Sequence, residues 1–108
     1  MIYEILCYQL PDGRRPFSDW LASFLDKRME ARIRARLDRI QSGNFGDTRL
    51  VDTGVWEIRF HFGPGYRVYF GLDGNTLVIL LCGGDKSTQN SDIRHAREYW
   101  QDYLRRRS

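Results

Sequence analysis

With 108 residues and a formal net charge of +3, the chain has the length of one domain, residues 1–108, and a basic surface that permits an anionic partner without demanding one. Apolar residues at 42% and aromatics at 14% exclude disorder as the default state. The longest apolar run, residues 77–82, is far too short to span a membrane, and MIYEILCYQL lacks the successive regions of a secretory leader, so a cytoplasmic protein with no membrane partner is expected.

Residues 2–8 are apolar, β-branched or aromatic, as in a strand at or next to a sheet edge, and Pro11-Asp12-Gly13 closes them with turn chemistry. From Pro16 the spacing changes. Phe17, Trp20, Leu21, Phe24 and Leu25 fall at i, i+3, i+4, i+7 and i+8, the stripe of a helix packed on a core. A second helix is predicted over Lys27–Gln41, with Met29, Ile33, Leu37 and Ile40 inward and Ser42-Gly43-Asn44 as its stop. Lys27, Arg28, Arg32, Arg34, Arg36 and Arg39 cover its other faces against Glu30 and Asp38, a surplus able to guide a polyanion. Residues 45–53, rich in Gly, Asp and Thr, read as a loop.

In residues 55–62, Trp56, Ile58, Phe60 and Phe62 alternate with Glu57, Arg59 and His61, the period of a half-buried strand. Residues 66–72 repeat the pattern, with Tyr66, Val68, Phe70 and Leu72 inward and Arg67 and Tyr69 outward. Taken as a three-residue loop, Gly63-Pro64-Gly65 sets His61 opposite Arg67 and Arg59 opposite Tyr69, with Cβ atoms about 5 Å apart. Two guanidiniums, an imidazole and a phenol on one open face suit a phosphate-bearing ligand, although a solvated sheet face would show the same pattern. Glu57 projects on that face as well, and an ion pair with Arg59 is the favoured reading.

Asp73-Gly74-Asn75 is a turn, and residues 76–82, apolar on both faces, belong in the middle of a covered sheet or next to it. Gly83-Gly84-Asp85-Lys86 then ends a central strand, with Lys86 at the rim of the face carrying Arg59 and Arg67. Ser91 and Asp92 offer an N-cap and a first-turn acid for a last helix packed through Ile93, Ala96, Trp100, Tyr103 and Leu104. His95 lies off that stripe, and Arg105-Arg106-Arg107 reads as a frayed tail. Cys7 and Cys82 sit in apolar strands as free thiols, and two isolated histidines give no metal-ligand spacing. Neither metal nor cofactor is expected. The succession of elements makes an α+β domain.

The segments FSDWLASF, GVWEIRFHFGPGYRVYF and LLCGGDKSTQNSDIRHAREYW, with the basic helix between the first two, resemble the RelE/ParE toxin superfamily of type II toxin–antitoxin modules. The HigB-like branch of addiction-module killer proteins is the most similar. The resemblance implies a small antiparallel-centred sheet carrying two N-terminal helices and a C-terminal one, in the order β-α-α-β-β-β-α. It implies a toxin neutralised by a cognate antitoxin, with operator DNA reached only through that antitoxin. RelE-like and HigB-like toxins cleave mRNA at the ribosome, whereas ParE-like toxins inhibit DNA gyrase, so both functions stay open.

Carried over by motif, Arg67 in GYRVYF matches the arginine that contacts the scissile phosphate, Arg59 or, with a one-residue shift across the turn, His61 corresponds to a basic residue on the preceding strand, and Lys86 resembles the one after the last strand. The catalytic tyrosine of RelE-type nucleases has no counterpart in residues 87–94. RNA cleavage by side chains alone needs a base for the 2′-OH, positive charge for the phosphorane and an acid for the 5′-oxygen. Arg67 and Arg59 are expected to clamp the phosphate, Lys86 to add charge and His61 to move the proton, with Tyr69 as a fallback acid or stacking platform. Arg32, Arg36, Arg39 and Gln89 are expected to contact the RNA.

Overall fold

A computed structural model describes residues 2–107. Its elements are β1 (Glu4–Cys7), α1 (Pro16–Ala22), α2 (Lys27–Gln41), β2 (Thr48–Asp52), β3 (Val55–Arg59), β4 (Arg67–Asp73), β5 (Leu77–Gly84), a 3-10 turn (Lys86–Thr88) and α3 (Gln89–Arg107). The strands form one mixed sheet in the order β1-β5-β4-β3-β2, in which only β1 and β5 run parallel. This is the expected α+β architecture, with one strand more than the sequence revealed.

The added strand is β2. Its sequence TRLVD mixes polar and apolar residues because it is an edge strand bonded to β3 alone, with Leu50 left exposed. Such a strand carries no buried run to betray it. The first helix also differs from its predicted extent, ending at Ala22 and leaving Leu25 fully exposed, where the backbone N–H of Ser23 closes on the carbonyls of Asp19 and Trp20. The last helix begins at Gln89, two residues before Ser91. Asp85 caps the preceding 3-10 turn, accepting from the Ser87 N–H while Thr88 Oγ1 accepts from the Asp85 N–H, the reciprocal pattern of a capping box. Nor is the basic end frayed, since Arg106 pairs with Asp102 and Arg107 with Asp73.

Each sheet face has its own core. On one, Ile58, Phe60, Val68, Phe70, Val78 and Leu80 meet Phe17, Leu21, Ile33, Leu37 and Ile40 of α1 and α2. On the other, Val55, Tyr69, Ile79 and Leu81 meet Ala96 and Trp100 of α3. The β4–β5 pairing slips between Tyr69 and Phe70, so Cys82 faces Tyr69 while Leu80 faces Phe70. The extra residue in β5 is a bulge that lets Leu81 and Cys82 both join the α3 side.

The hairpin register differs from the predicted one by two residues: Ile58 pairs with Val68, Glu57 with Tyr69 and Arg59 with Arg67. The loop is longer than Gly63-Pro64-Gly65. The Phe60 N–H donates to the Tyr66 carbonyl at 3.0 Å, and the positive φ values of Gly63 and Gly65 turn the chain inside that pair. A two-residue shift preserves which face each side chain takes but changes its partner.

The predicted open face is largely covered. Helix α3 lies across it, leaving Glu57 and Tyr69 at 0% exposure and Arg67 at 5%. Its approach depends on Gly71, where a methyl group would stand 2.3 Å from the Trp100 ring. Gly71→Ala is therefore expected to cost about 1–3 kcal/mol of overpacking, read as a lower urea midpoint at unchanged slope.

Candidate functional site

Strands β3 and β4 place Glu57, Arg59, Arg67 and Tyr69 on the α3 side of the sheet. Arg49 on β2 is paired with Glu57 across the strands, and its Nε lies 3.2 Å from Glu57 Oε1. Gln89, at the start of α3, donates from Nε2 to Glu57 Oε2 at 2.8 Å. Arg67 Nε stands 3.9 Å from Glu57 Oε1, an ion pair beyond hydrogen-bonding length. The carboxylate is thus held by Arg49, Gln89 and the charge of Arg67. Glu57 is ion-paired as expected, but to Arg49 and Arg67 rather than to Arg59.

Three buried polar atoms of this cluster have no hydrogen-bond partner among the described residues: Arg59 Nε, Arg67 Nε and Tyr69 Oη. Burial, and next the charge of Glu57, push the Tyr69 phenol far above its usual pKa, although no acceptor meets its hydroxyl in well-formed geometry. The phenol therefore stays protonated, and its covered ring offers no surface on which a base could stack. Buried donors are normally satisfied. Two opposed arginines and a phenol thus each leave one buried donor atom without an acceptor, beside a carboxylate already engaged by Arg49 and Gln89.

The end of Arg67 and the stem of Lys86 meet beside the hairpin turn. A methyl group at Gly65 would lie 3.3 Å from Lys86 Cβ and 3.8 Å from Arg67 Nη1. The bare glycine therefore leaves the end of Arg67 and the stem of Lys86 side by side at the rim. Lys86 is exposed there, on the 3-10 turn that carries the chain from β5 into α3.

His61 is placed differently. The chain bends after β3, and the imidazole lines a cleft of about 350 Å³ with Arg32, Ala35, Arg36, Arg39, Phe60 and Phe62. His61 Nε2 is 2.6 Å from Asp47 Oδ2. That bond, aided by the charges of Arg59 and Arg36, holds the Asp47 carboxyl below the usual carboxylate range. Asp47 thus stands between the two groups, bonded to His61 and within the field of Arg59.

Of the residues singled out in the sequence, Arg59, Arg67, Tyr69 and Gln89 gather around Glu57, and Lys86 stands at their rim. His61, Arg32, Arg36 and Arg39 line the cleft. Sequence reasoning misses Arg49 and Asp47, because both lie in the segment that reads as a loop. Once β2 is recognised, its alternation puts Arg49 on the face of Glu57.

The family described as "Phage derived protein Gp49-like (DUF891)" matches residues 19–101, from within α1 to within α3. The match therefore takes in the whole of the Glu57 cluster and the cleft beside it. An uncharacterized protein of Haemophilus influenzae (strain ATCC 51907 / DSM 11121 / KW20 / Rd) is 51% identical over 81 residues, covering 75% of this chain and 82% of that protein.

Proposed function

The chain belongs to the Gp49-like family of phage-derived proteins, a RelE/HigB-type toxin family, and from that premise we propose that it is a toxin that cleaves RNA. Membership implies an antitoxin as its partner. The finer reading is an mRNA endonuclease acting on translated transcripts. The observation that carries it is the pair Arg59 and Arg67, directly opposed on adjacent strands, each with a buried Nε lacking an acceptor.

A phosphodiester at the Gly65 turn meets the Nη1 end of Arg67, with the charge of Arg59 beside it on the neighbouring strand. Arg67 and Arg59 hold the non-bridging oxygens, and their charge stabilises the phosphorane as negative charge accumulates. Glu57, fully buried, fixes the cluster from beneath without confronting the RNA. His61, with Nε2–H donating to Asp47, keeps Nδ1 to take the 2′-OH proton. The 2′-oxygen attacks the adjacent phosphorus, the bond to the 5′-oxygen breaks, and a 2′,3′-cyclic phosphate and a 5′-hydroxyl result. The departing oxygen takes a proton from solvent at the open rim, where Lys86 offsets its charge.

Brief induction in growing cells, followed by primer extension on abundant transcripts, tests this reading. New 5′ ends within translated frames are the expected result. Growth arrest without new ends would overturn it and direct attention to a non-enzymatic target such as DNA gyrase.

A further inference from the structure

We infer that the cleft between α2 and the end of β3 is a second RNA subsite, holding another nucleotide of the strand that is cleaved; the inference rests on the nuclease reading above. Most of the six basic residues of α2 are already engaged. Lys27 and Arg34 both pair with Glu30, and Arg28 pairs with the helix N-cap Asp26. Arg36 is a strut, donating from Nη1 to the Arg59 carbonyl and from Nη2 to the Phe45 carbonyl. Two remain. Among the described residues, no carboxylate pairs with Arg32 or Arg39, and both line the cleft.

Arg32 is also shaped for a base. Its guanidinium carbon lies 3.9 Å from the centroid of the Phe62 ring, so the planar group is laid on the aromatic face. The residue is exposed, and the outer side of a guanidinium held this way is a platform of the kind on which unstacked RNA bases sit. Arg39 supplies an uncompensated charge for the phosphate beside it. Asp47, the carboxylate bonded to the cleft residue His61, is engaged by that imidazole.

Arg36 and Asp47 link the cleft to the proposed cleavage centre. Arg36 bonds the backbone of Arg59, whose side chain faces Arg67, and His61 lines the cleft while sharing Asp47 with the field of Arg59. A single strand that reaches both the Arg59–Arg67 pair and the cleft would run around the end of β3, past His61, to Arg32 and Arg39. The ligand class is single-stranded RNA, gripped by one stacked base and one phosphate.

The test is fluorescence anisotropy with fluorescein-labelled 2′-O-methyl oligoribonucleotides, which cannot be cleaved, in a series from two nucleotides upward and across a range of salt. Wild-type protein is expected to gain affinity in one step when the strand becomes long enough to fill the cleft. The variant R32A/R39A is expected to lose that step, about tenfold or more in Kd for long strands, and to flatten the salt slope by about 0.7 for each phosphate it no longer neutralises. Circular dichroism of the variant establishes that it is folded, and R32Q/R39Q, which keeps the side-chain bulk, is expected to show the same loss.

An affinity step that survives in both variants overturns the subsite while leaving the nuclease reading intact. Absence of both RNA binding and RNA cleavage by the wild-type chain overturns the nuclease reading and the subsite with it. Protection of the cleft by an acidic antitoxin segment, with no effect of either variant on RNA, would make it a protein interface instead.

Discussion

Arg67→Ala is expected to lower the rate of RNA cleavage by about 10²–10³, the loss typical when one preorganised donor to a transition-state oxyanion is removed. The expectation follows from how the side chain is held. Arg67 is 5% exposed, its Nε lacks an acceptor, and its carboxylate neighbour is too far for a hydrogen bond. A guanidinium fixed in this way is expected to lose little freedom when a phosphate meets its Nη1 end beside Gly65. Charge that develops only in the phosphorane strengthens the interaction, so the loss should fall mainly on kcat. Arg67→Lys retains charge but not the planar fork, and is expected to recover only part of the rate. His61→Ala, which removes the proposed proton transfer and leaves the arginines in place, is expected to slow the reaction by about 10²–10⁴. Equal rates for wild type and Arg67→Ala, measured on purified protein of verified folding, would remove the arginine from the site.

The parts of this fold that can be read from the sequence are those where one face is apolar. The stripe Ile33, Leu37 and Ile40 marks α2, and the alternation of Ile58 and Phe60 with Glu57 and Arg59 marks β3, because burial imposes each period. Strand β2 is not legible, since an edge strand needs no apolar face. The hairpin register escapes for another reason: a shift of two residues conserves the inward and outward sets, so hydrophobic patterning cannot distinguish the two pairings. Arg67 and Arg59 can therefore be placed on one face, but not opposite each other. The identity of that face is also hidden. Glu57 and Tyr69 look solvent-facing beside Ile58 and Val68, and only the path of α3 buries them. A charged residue can occupy such a position because Arg49 and Gln89 satisfy it, and neither partner is adjacent in sequence. The His61–Asp47 pair likewise joins two segments through tertiary structure alone.

Loss of Glu57 should weaken the fold as much as truncation of a large core side chain. Its carboxylate has no exposure to solvent and accepts from Arg49 and Gln89, with Arg67 3.9 Å away. Glu57→Ala leaves Gln89 without its acceptor and Arg67 without a counter-charge inside the protein. Breaking a buried pair in this way costs about 3–5 kcal/mol, a large share of the roughly 5–15 kcal/mol that stabilises a domain of this kind. At about 4–8 °C per kcal/mol for a small domain, the expected fall in Tm is at least about 12 °C. Glu57→Gln keeps the shape and one acceptor oxygen, and should lose less. The same substitutions probe the site. With the internal carboxylate gone, the arginines depend on an external anion, so inorganic phosphate should raise the Tm of Glu57→Gln more than that of wild type. Equal phosphate shifts in the two proteins would mean that Glu57 and the anion do not share Arg67, and would place the anion elsewhere. A larger shift in the variant would mean that the carboxylate beneath the arginines and the phosphate above them act on the same guanidinium.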